Sequence, residues 1–335
     1  MPLYLGPSLN NSNTPVVQSG ALREFHAHCS ASGSKNRRFE LKDVYSNVVE
    51  FAGDQAGSRF LQQKLEQANS DEKGIIFDEI MPNARQLMFD VFGNYVLQKL
   101  FEHGDQIQKK QLANEMKNHI YPLSLQMYGC RVVQKAFDHI LTDQQAELVS
   151  ELNEVVPDKS DHRVLRCIRD QNGNHVIQKA IEVIDSRYIG FIYEVVTGKI
   201  IELSLHAYGC RVIQRMLEKN DPNVKRQVLD ELSTCDAELI KDQFGNYVAQ
   251  HVITHGDITS RNRIIKLILD RGVKDFAKHK FASNVVEKCV VHGTTAQQIE
   301  ILRQIMEPGH NQTQGESLYE YVKCGFGNYV IRKFT

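Results

Sequence analysis

The sequence predicts an all-α solenoid, and three observations carry that prediction. A short motif recurs eight times, the commonest interval between copies is 36 residues, and the intervening segments read as amphipathic helix with no strand signal. The copies are GSRFLQ, GNYVLQK, GCRVVQK, GNHVIQK, GCRVIQR, GNYVAQH, ASNVVEK and GNYVIRK. Their second residues are Ser58, Asn94, Cys130, Asn174, Cys210, Asn246, Ser283 and Asn328, at intervals of 36, 36, 44, 36, 36, 37 and 45. The two long intervals place insertions in the polar, proline-containing stretches 154–166 and 307–320, which suit surface loops.

Taken in chain order, residues 1–36 are rich in Ser, Asn, Gly and Pro and predict a disordered leader. The repeat domain is expected over 37–335. In repeat two, Gly93 and Asn94 open a helix, YVLQKLFE, and His103-Gly104-Asp105 break it. A second amphipathic stretch, QIQKKQLANEMKNHI, and a shorter one, YPLSLQM, lead to the next copy. A chain of 335 residues usually means two domains. An array of eight units removes that expectation.

Composition narrows the function classes. Forty Lys+Arg against 41 Asp+Glu leave a net charge of −1, and 41% hydrophobic residues are ordinary for a globular protein. No apolar run approaches the roughly 18 residues of a membrane span, and the N-terminus lacks the basic and apolar regions of a secretory signal. The seven cysteines form no C-x-x-C pair, so neither a disulfide framework nor a structural zinc site is expected, and no residue is expected to ligate a metal. They read as helix-packing thiols in a reducing cytosol, and no cofactor is expected. No local signature of a nucleophile–base pair surrounds any of them, so the chain is not expected to be an enzyme.

At about 100° per residue, the first, second and fifth motif positions share one arc of a helix, while the third and seventh, such as Val96 and Leu100, point to the opposite, buried side. The triplets are Ser58/Arg59/Gln62, Asn94/Tyr95/Gln98, Cys130/Arg131/Gln134 and Asn174/His175/Gln178 in the first four repeats. The last four carry Cys210/Arg211/Gln214, Asn246/Tyr247/Gln250, Ser283/Asn284/Glu287 and Asn328/Tyr329/Arg332. Position two is planar throughout, and planar groups stack on bases. Position five is mostly Gln, whose amide both donates and accepts and so matches a base edge. Two other readings stand beside this one: a polar groove for a peptide, and Asn at position one as a helix N-cap. Capping does not require Gln at position five, so base reading is favoured.

With these residues the chain resembles the Pumilio (PUF) family of RNA-binding repeat domains over about residues 39–335. The resemblance implies a right-handed crescent of eight three-helix repeats with an N-terminal half-repeat cap near 39–52. It also implies a monomer with single-stranded RNA on the concave face, the 5′ base lying on the last repeat. Asn with Gln then reads uracil, Cys or Ser with Gln reads adenine, and Ser283 with Glu287 reads guanine. The decoded target is 5′-UGUAUAUA-3′, an element of messenger RNA 3′ untranslated regions. The implied outcome is translational repression or decay in the cytoplasm, with repressor or deadenylase proteins on the convex face. A protein-interaction solenoid without RNA is the alternative.

Two departures from the pattern stand out. Arg332 holds position five of repeat eight and has no acceptor for the uracil N3–H. The chain ends at Thr335, so repeat eight is expected to be truncated and frayed. Finally, motif positions one to six carry a net +9 although the chain carries −1, which predicts a basic stripe along the reading face.

Overall fold

A computed structural model describes residues 18–30, 39–156, 161–307, 319 and 321–334. The chain divides into two compact units, Met1–Ile189 and Gly190–Thr335. Regular structure among the described residues is helical, apart from an isolated antiparallel bridge between Val155 and His162. The fold is an all-α array of three-helix repeats, as the periodicity predicts. No helix among the described residues is long and apolar enough to cross a membrane.

In the first unit, repeat one comprises Val48–Ala52, Gln55–Gln67 and Ser70–Ile80, and repeat two Ala84–Phe89, Gly93–His103 and Gln106–Asn114. Repeat three comprises Ile120–Leu125, Gly129–His139 and Thr142–Ser150; repeat four begins with Arg163–Arg169 and Gly173–Val183. In the second unit, repeat five comprises Ile200–Ser204, Gly209–Glu218 and Pro222–Leu232. Repeat six comprises Asp236–Lys241, Gly245–His255 and Ile258–Arg271, and repeat seven Val273–Ala277, Ala282–His292 and Thr295–Met306. Repeat eight contributes Gly327–Ile331, whose Val330 is buried and which packs on Ala282–His292. The second helix of each repeat carries the motif and is called the motif helix below.

Local chemistry sets these boundaries. The His103-Gly104-Asp105 breaker is two caps in succession. The Gly104 N–H closes the motif helix on the Leu100 carbonyl, and the Asp105 carboxylate accepts from Gln108 N at 2.8 Å to open the next. The Gln108 side chain accepts from Asp105 N in return, completing a capping box. Glycine at the head of a motif helix answers a close approach. A Cβ on Gly129 would lie 2.7 Å from the Leu123 carbonyl of the preceding short helix, and one on Gly209 would lie 2.6 Å from that of Leu203. The core repeats with the motif: Val96, Leu97, Leu100 and Phe101 are buried in repeat two, and Val132, Val133, Ala136 and Phe137 in repeat three. Each large side chain so buried stabilises the stack by about 1.5–3 kcal/mol.

Two expectations need correction at the N-terminus. Part of the expected disordered leader, residues 1–36, is a helix, Gly20–Ser30. Its Leu22 and Phe25 are buried, and the Phe25 ring packs 5.2 Å from Phe39, 5.3 Å from Phe51 and 5.2 Å from Phe60. His26 adds a contact of 3.0 Å to the Asp54 carboxylate. Two apolar anchors within a polar stretch were too few to register as a period, yet the aromatic cluster holds the helix. Residues 1–17 and 31–36 lie outside the described residues. Secondly, the expected cap near 39–52 overlaps repeat one. Val48–Ala52 packs on Gln55–Gln67 as Ala84–Phe89 packs on Gly93–His103, so it is the first helix of that repeat. Of the expected insertions, residues 157–160, 308–318 and 320 lie outside the described residues.

Candidate nucleic-acid interface

The structure brings each triplet together on its motif helix, but at two depths. Position two is exposed in every repeat, at Arg59, Tyr95, Arg131, His175, Arg211, Tyr247, Asn284 and Tyr329. Position five is half-buried at Gln62, Gln98, Gln134, Gln178, Gln214, Gln250 and Glu287, and exposed at Arg332. Position one is buried at Ser58, Asn94, Cys130, Asn174, Cys210, Asn246 and Ser283, and half-buried at Asn328. The helical wheel placed all three positions on one surface. Neighbouring helices cover position one, which therefore acts from beneath position five.

Hydrogen bonds show what position one does. Asn94 Nδ2 donates to the carbonyls of Asp90 at 2.9 Å and Val91 at 3.1 Å, so its Oδ1 is turned toward Gln98, whose Nε2 donates to it at 2.9 Å. Repeat four duplicates this chain through Asp170, Gln171, Asn174 and Gln178, and repeat six through Asp242, Gln243, Asn246 and Gln250. Carbonyls have no proton to donate, so they dictate the Asn orientation, and the Asn then dictates that of the Gln amide. The Gln Oε1 and one remaining Nε2 hydrogen are left for a ligand. These bonds also dispose of the N-cap reading. Asp90 Oδ1, not Asn94, accepts from the first amides of the helix, Phe92 N at 2.9 Å and Gly93 N at 2.7 Å.

The other repeats orient position five differently. In repeat three Gln134 Nε2 donates to the Cys130 carbonyl at 2.9 Å, and the Cys130 thiol reaches only the Met127 carbonyl at 3.4 Å. Burial pushes that thiol up to about 11 and raises Cys210 as well, so both stay protonated small groups that leave room above them. In repeat one Ser58 Oγ accepts from Gln62 Nε2 at 3.0 Å and donates to the Phe92 carbonyl of the next repeat at 2.8 Å. In repeat seven the Glu287 carboxylate lies 3.2 Å from Lys333 Nζ. In repeat eight the Arg332 guanidinium sits over the Tyr329 ring, 5.8 Å from its centroid, so position five there covers its own position two.

Between the position-two groups of repeats one and two lies a slot. A cleft of about 460 Å³ is lined by Ser58, Arg59 and Gln62 of repeat one together with Val91, Phe92 and Tyr95 of repeat two and Tyr128. Arg59, Tyr95 and the Gln62 amide all face this cleft. One step along, Arg131 Nη1 donates to Tyr95 Oη at 3.3 Å, tying successive position-two groups into a ladder.

Sequence reasoning missed a second ladder beside the first. Position six is a cation in most repeats and position nine an acid. Lys99 Nζ lies 2.6 Å from Glu66 and 2.8 Å from Glu102, Lys135 lies 2.6 Å from Glu102, and Lys179 lies 3.2 Å from Asp138 and 3.4 Å from Glu182. In the second unit Arg215 pairs with Glu218, which His251 approaches to 2.9 Å. Partial burial raises the Glu102 carboxyl, but Lys135 and Lys99 outweigh that and hold it at about 2. Hydrogen bonds to Glu102 and Glu66 raise Lys99 in turn. The basic stripe is thus partly neutralised: Lys99, Lys135, Lys179, Arg215 and Lys333 are ion-paired. The signal was present as Glu66, Glu102 and Asp138, each eight residues past position one.

The comparisons with known proteins agree with this geometry. The sequence model of the Pumilio-family RNA binding repeat matches residues 47–81, 83–117, 119–152, 163–197, 199–233, 237–269 and 273–306. The first match begins ahead of Val48–Ala52, in keeping with its place in repeat one. Fem-3 mRNA-binding factor 2 of Caenorhabditis elegans is 31% identical over 194 residues, covering 51% of this chain and 30% of that protein. Putative pumilio homolog 8, chloroplastic, of Arabidopsis thaliana is 30% identical over 304 residues, covering 90% of this chain and 58% of that protein. The matches span 20–31% of the length of the first curated relatives. Among solved structures, the Puf3 RNA binding domain bound to the Cox17 RNA 3′ UTR recognition sequence site A is 40% identical, with a TM-score of 0.83. That alignment covers 94% of this chain and 90% of the other. PUF-8 in complex with PBE-RNA is 34% identical with a TM-score of 0.78, covering 94% and 88%. The chain belongs to the Pumilio family of RNA-binding repeat proteins.

Proposed function

We propose that this chain binds single-stranded RNA in a sequence-specific manner, one base per repeat, without a catalytic step. The carrying observation is the outward-facing position-five amide, held from beneath by a buried position one and flanked by exposed planar groups. A Gln so held has an acceptor and a donor in fixed directions. Uracil meets them with N3–H and a carbonyl; adenine meets them with its exocyclic amine and N1. The small Cys or Ser leaves room for the larger purine. A carboxylate such as Glu287 accepts only, which matches the two donors of guanine. Reading from repeat eight to repeat one, the proposed target is 5′-UGUAUAUA-3′. Support comes from the relatives: Puf3 and PUF-8 are named for RNA complexes, and Fem-3 mRNA-binding factor 2 for its messenger RNA.

The biological reading follows from the same resemblance. The chain would act on 3′ untranslated regions in the cytoplasm as a monomer, lowering translation or stability of the message through repressor or deadenylase partners. Filter binding of UGUAUAUA against ACUAUAUA RNA tests the core of the proposal. The expected result is a loss of at least about tenfold, since each base contact contributes about 1–3 kcal/mol. Equal affinity for the two would refute it and favour a protein-interaction scaffold.

A further inference from the structure

The run of position-six cations that begins in repeat two is broken at repeat six. In repeats two to five a permanently charged nitrogen, from Lys99, Lys135, Lys179 or Arg215, stands beside a position-nine carboxylate. In repeat six the corresponding residue is His251. Its Nδ1 lies 3.0 Å from the Tyr247 carbonyl and its Nε2 lies 2.9 Å from Glu218 Oε1. Both neighbours are acceptors, whereas a neutral imidazole has one N–H and one lone pair. The Nδ1–H bond to a backbone carbonyl fixes the tautomer and turns the Nε2 lone pair toward the carboxylate. Two facing lone pairs need a cation between them, and in the neighbouring repeats a cation is what the equivalent space holds.

A second imidazole stands ready to share it. His255 follows at i+4 on the same helix face, with its ring centroid 5.3 Å from that of His251. Ligand atoms of Glu218, His251 and His255 all lie within 4.8 Å of one another. Arg215 engages Oε2 of Glu218, so Oε1 is the oxygen facing the histidines.

We propose that Glu218, His251 and His255 form a binding site for a divalent transition-metal ion, with zinc the best match. Two imidazoles and one carboxylate are a ligand set that zinc accepts in tetrahedral geometry, with a fourth position open to solvent. The carbonyl partner on His251 Nδ1 is the outer-shell contact that ligating histidines usually make. Bound metal would join the motif helices of repeats five and six, one turn beyond the position-two residue Tyr247. The sequence carries the matching cue, a His-x3-His pair at 251 and 255, against the expectation that no residue ligates a metal. The site stands independently of the RNA reading.

The test is calorimetric titration of the untagged chain with zinc chloride, alongside cobalt absorption spectroscopy. The expected result is one saturable site per chain and a cobalt spectrum with tetrahedral d–d bands and no thiolate charge-transfer band. His255→Ala and Glu218→Gln should each weaken zinc binding by at least about tenfold. His139→Ala, at the equivalent position of repeat three where Lys135 precedes it, should leave binding unchanged. His255 is exposed, so its variant should keep the circular dichroism and RNA affinity of the parent. Absence of saturable binding overturns the proposal. Binding that survives His255→Ala, or a thiolate band, overturns it as well.

Discussion

Repeats two and three are built on the same plan and differ where it matters for selection. Both motif helices are 11 residues long, begin with a glycine and carry Gln at position five. In repeat two the buried Asn94 ties two backbone carbonyls to the Gln98 amide. In repeat three the buried Cys130 makes one weak thiol contact and leaves Gln134 to its own helix carbonyl. The lesson is that the position-five side chain is shared, and the residue beneath it decides how it is held. On the proposed reading, selectivity for uracil or adenine rests on this buried side chain.

The largest test of this contrast is to remove position one from each repeat. Asn94→Ala leaves the Asp90 and Val91 carbonyls short of donors and should destabilise the fold by about 1–3 kcal/mol. Cys130→Ala should cost less than about 1 kcal/mol, because the thiol hydrogen bond is weak. Thermal or urea unfolding measures both; equal losses would mean the Asn network does no more than the thiol. Asn94→Ala should also relax the preference for uracil at the seventh base, read out with single-base RNA variants.

Next comes the exposed partner in the slot between repeats one and two. Tyr95→Ala should weaken RNA binding by about 1–3 kcal/mol, the usual effect of losing a stacking partner. The Tyr95 side chain is exposed and the unfolding midpoint should hardly move. A stability loss with unchanged RNA affinity would make Tyr95 a packing residue rather than a stacking one.

Smallest is the ion ladder that repeats two and three share at Glu102. Its carboxyl is held at about 2, below the ordinary 4.5, so it stabilises the folded state fully above pH 4.5. That contribution is lost as pH falls from 4.5 toward 2. Glu102→Gln should flatten this part of the acid limb when the melting temperature is followed against pH, and an unchanged slope would show that the pairs with Lys99 and Lys135 add nothing. Repeats six and seven carry Thr254 and Val291 at position nine and have no such acid to lose.

What the sequence made legible, and what it hid, follows from the same residues. Repetition exposed the triplets, because a feature copied eight times stands out without any knowledge of packing. Depth stayed hidden: a helical wheel has no neighbours, so Asn94 and Cys130 looked like surface residues although adjacent helices cover them. The role of Asn at helix starts suggested a cap, and only the carbonyls of Asp90 and Val91 reveal that it orients Gln98 instead. Charge counting along the motif found the cations of the stripe but stopped short of position nine, where their partners lie. The helix Gly20–Ser30 escaped because it is held by Phe25 against Phe39, Phe51 and Phe60, which are contacts between segments rather than a property of the leader.

The central claim is that the pair formed by positions one and five reads the base, and repeat seven offers the most direct test. Ser283 and Glu287 are proposed to select guanine at the second base; the double variant Ser283→Asn with Glu287→Gln rebuilds there the pair found in repeats two, four and six. Dissociation constants of the parent and the variant for UGUAUAUA and UUUAUAUA RNA form the measurement. The account predicts that the parent prefers the first RNA and the variant the second. A variant that keeps its preference for guanine would contradict it.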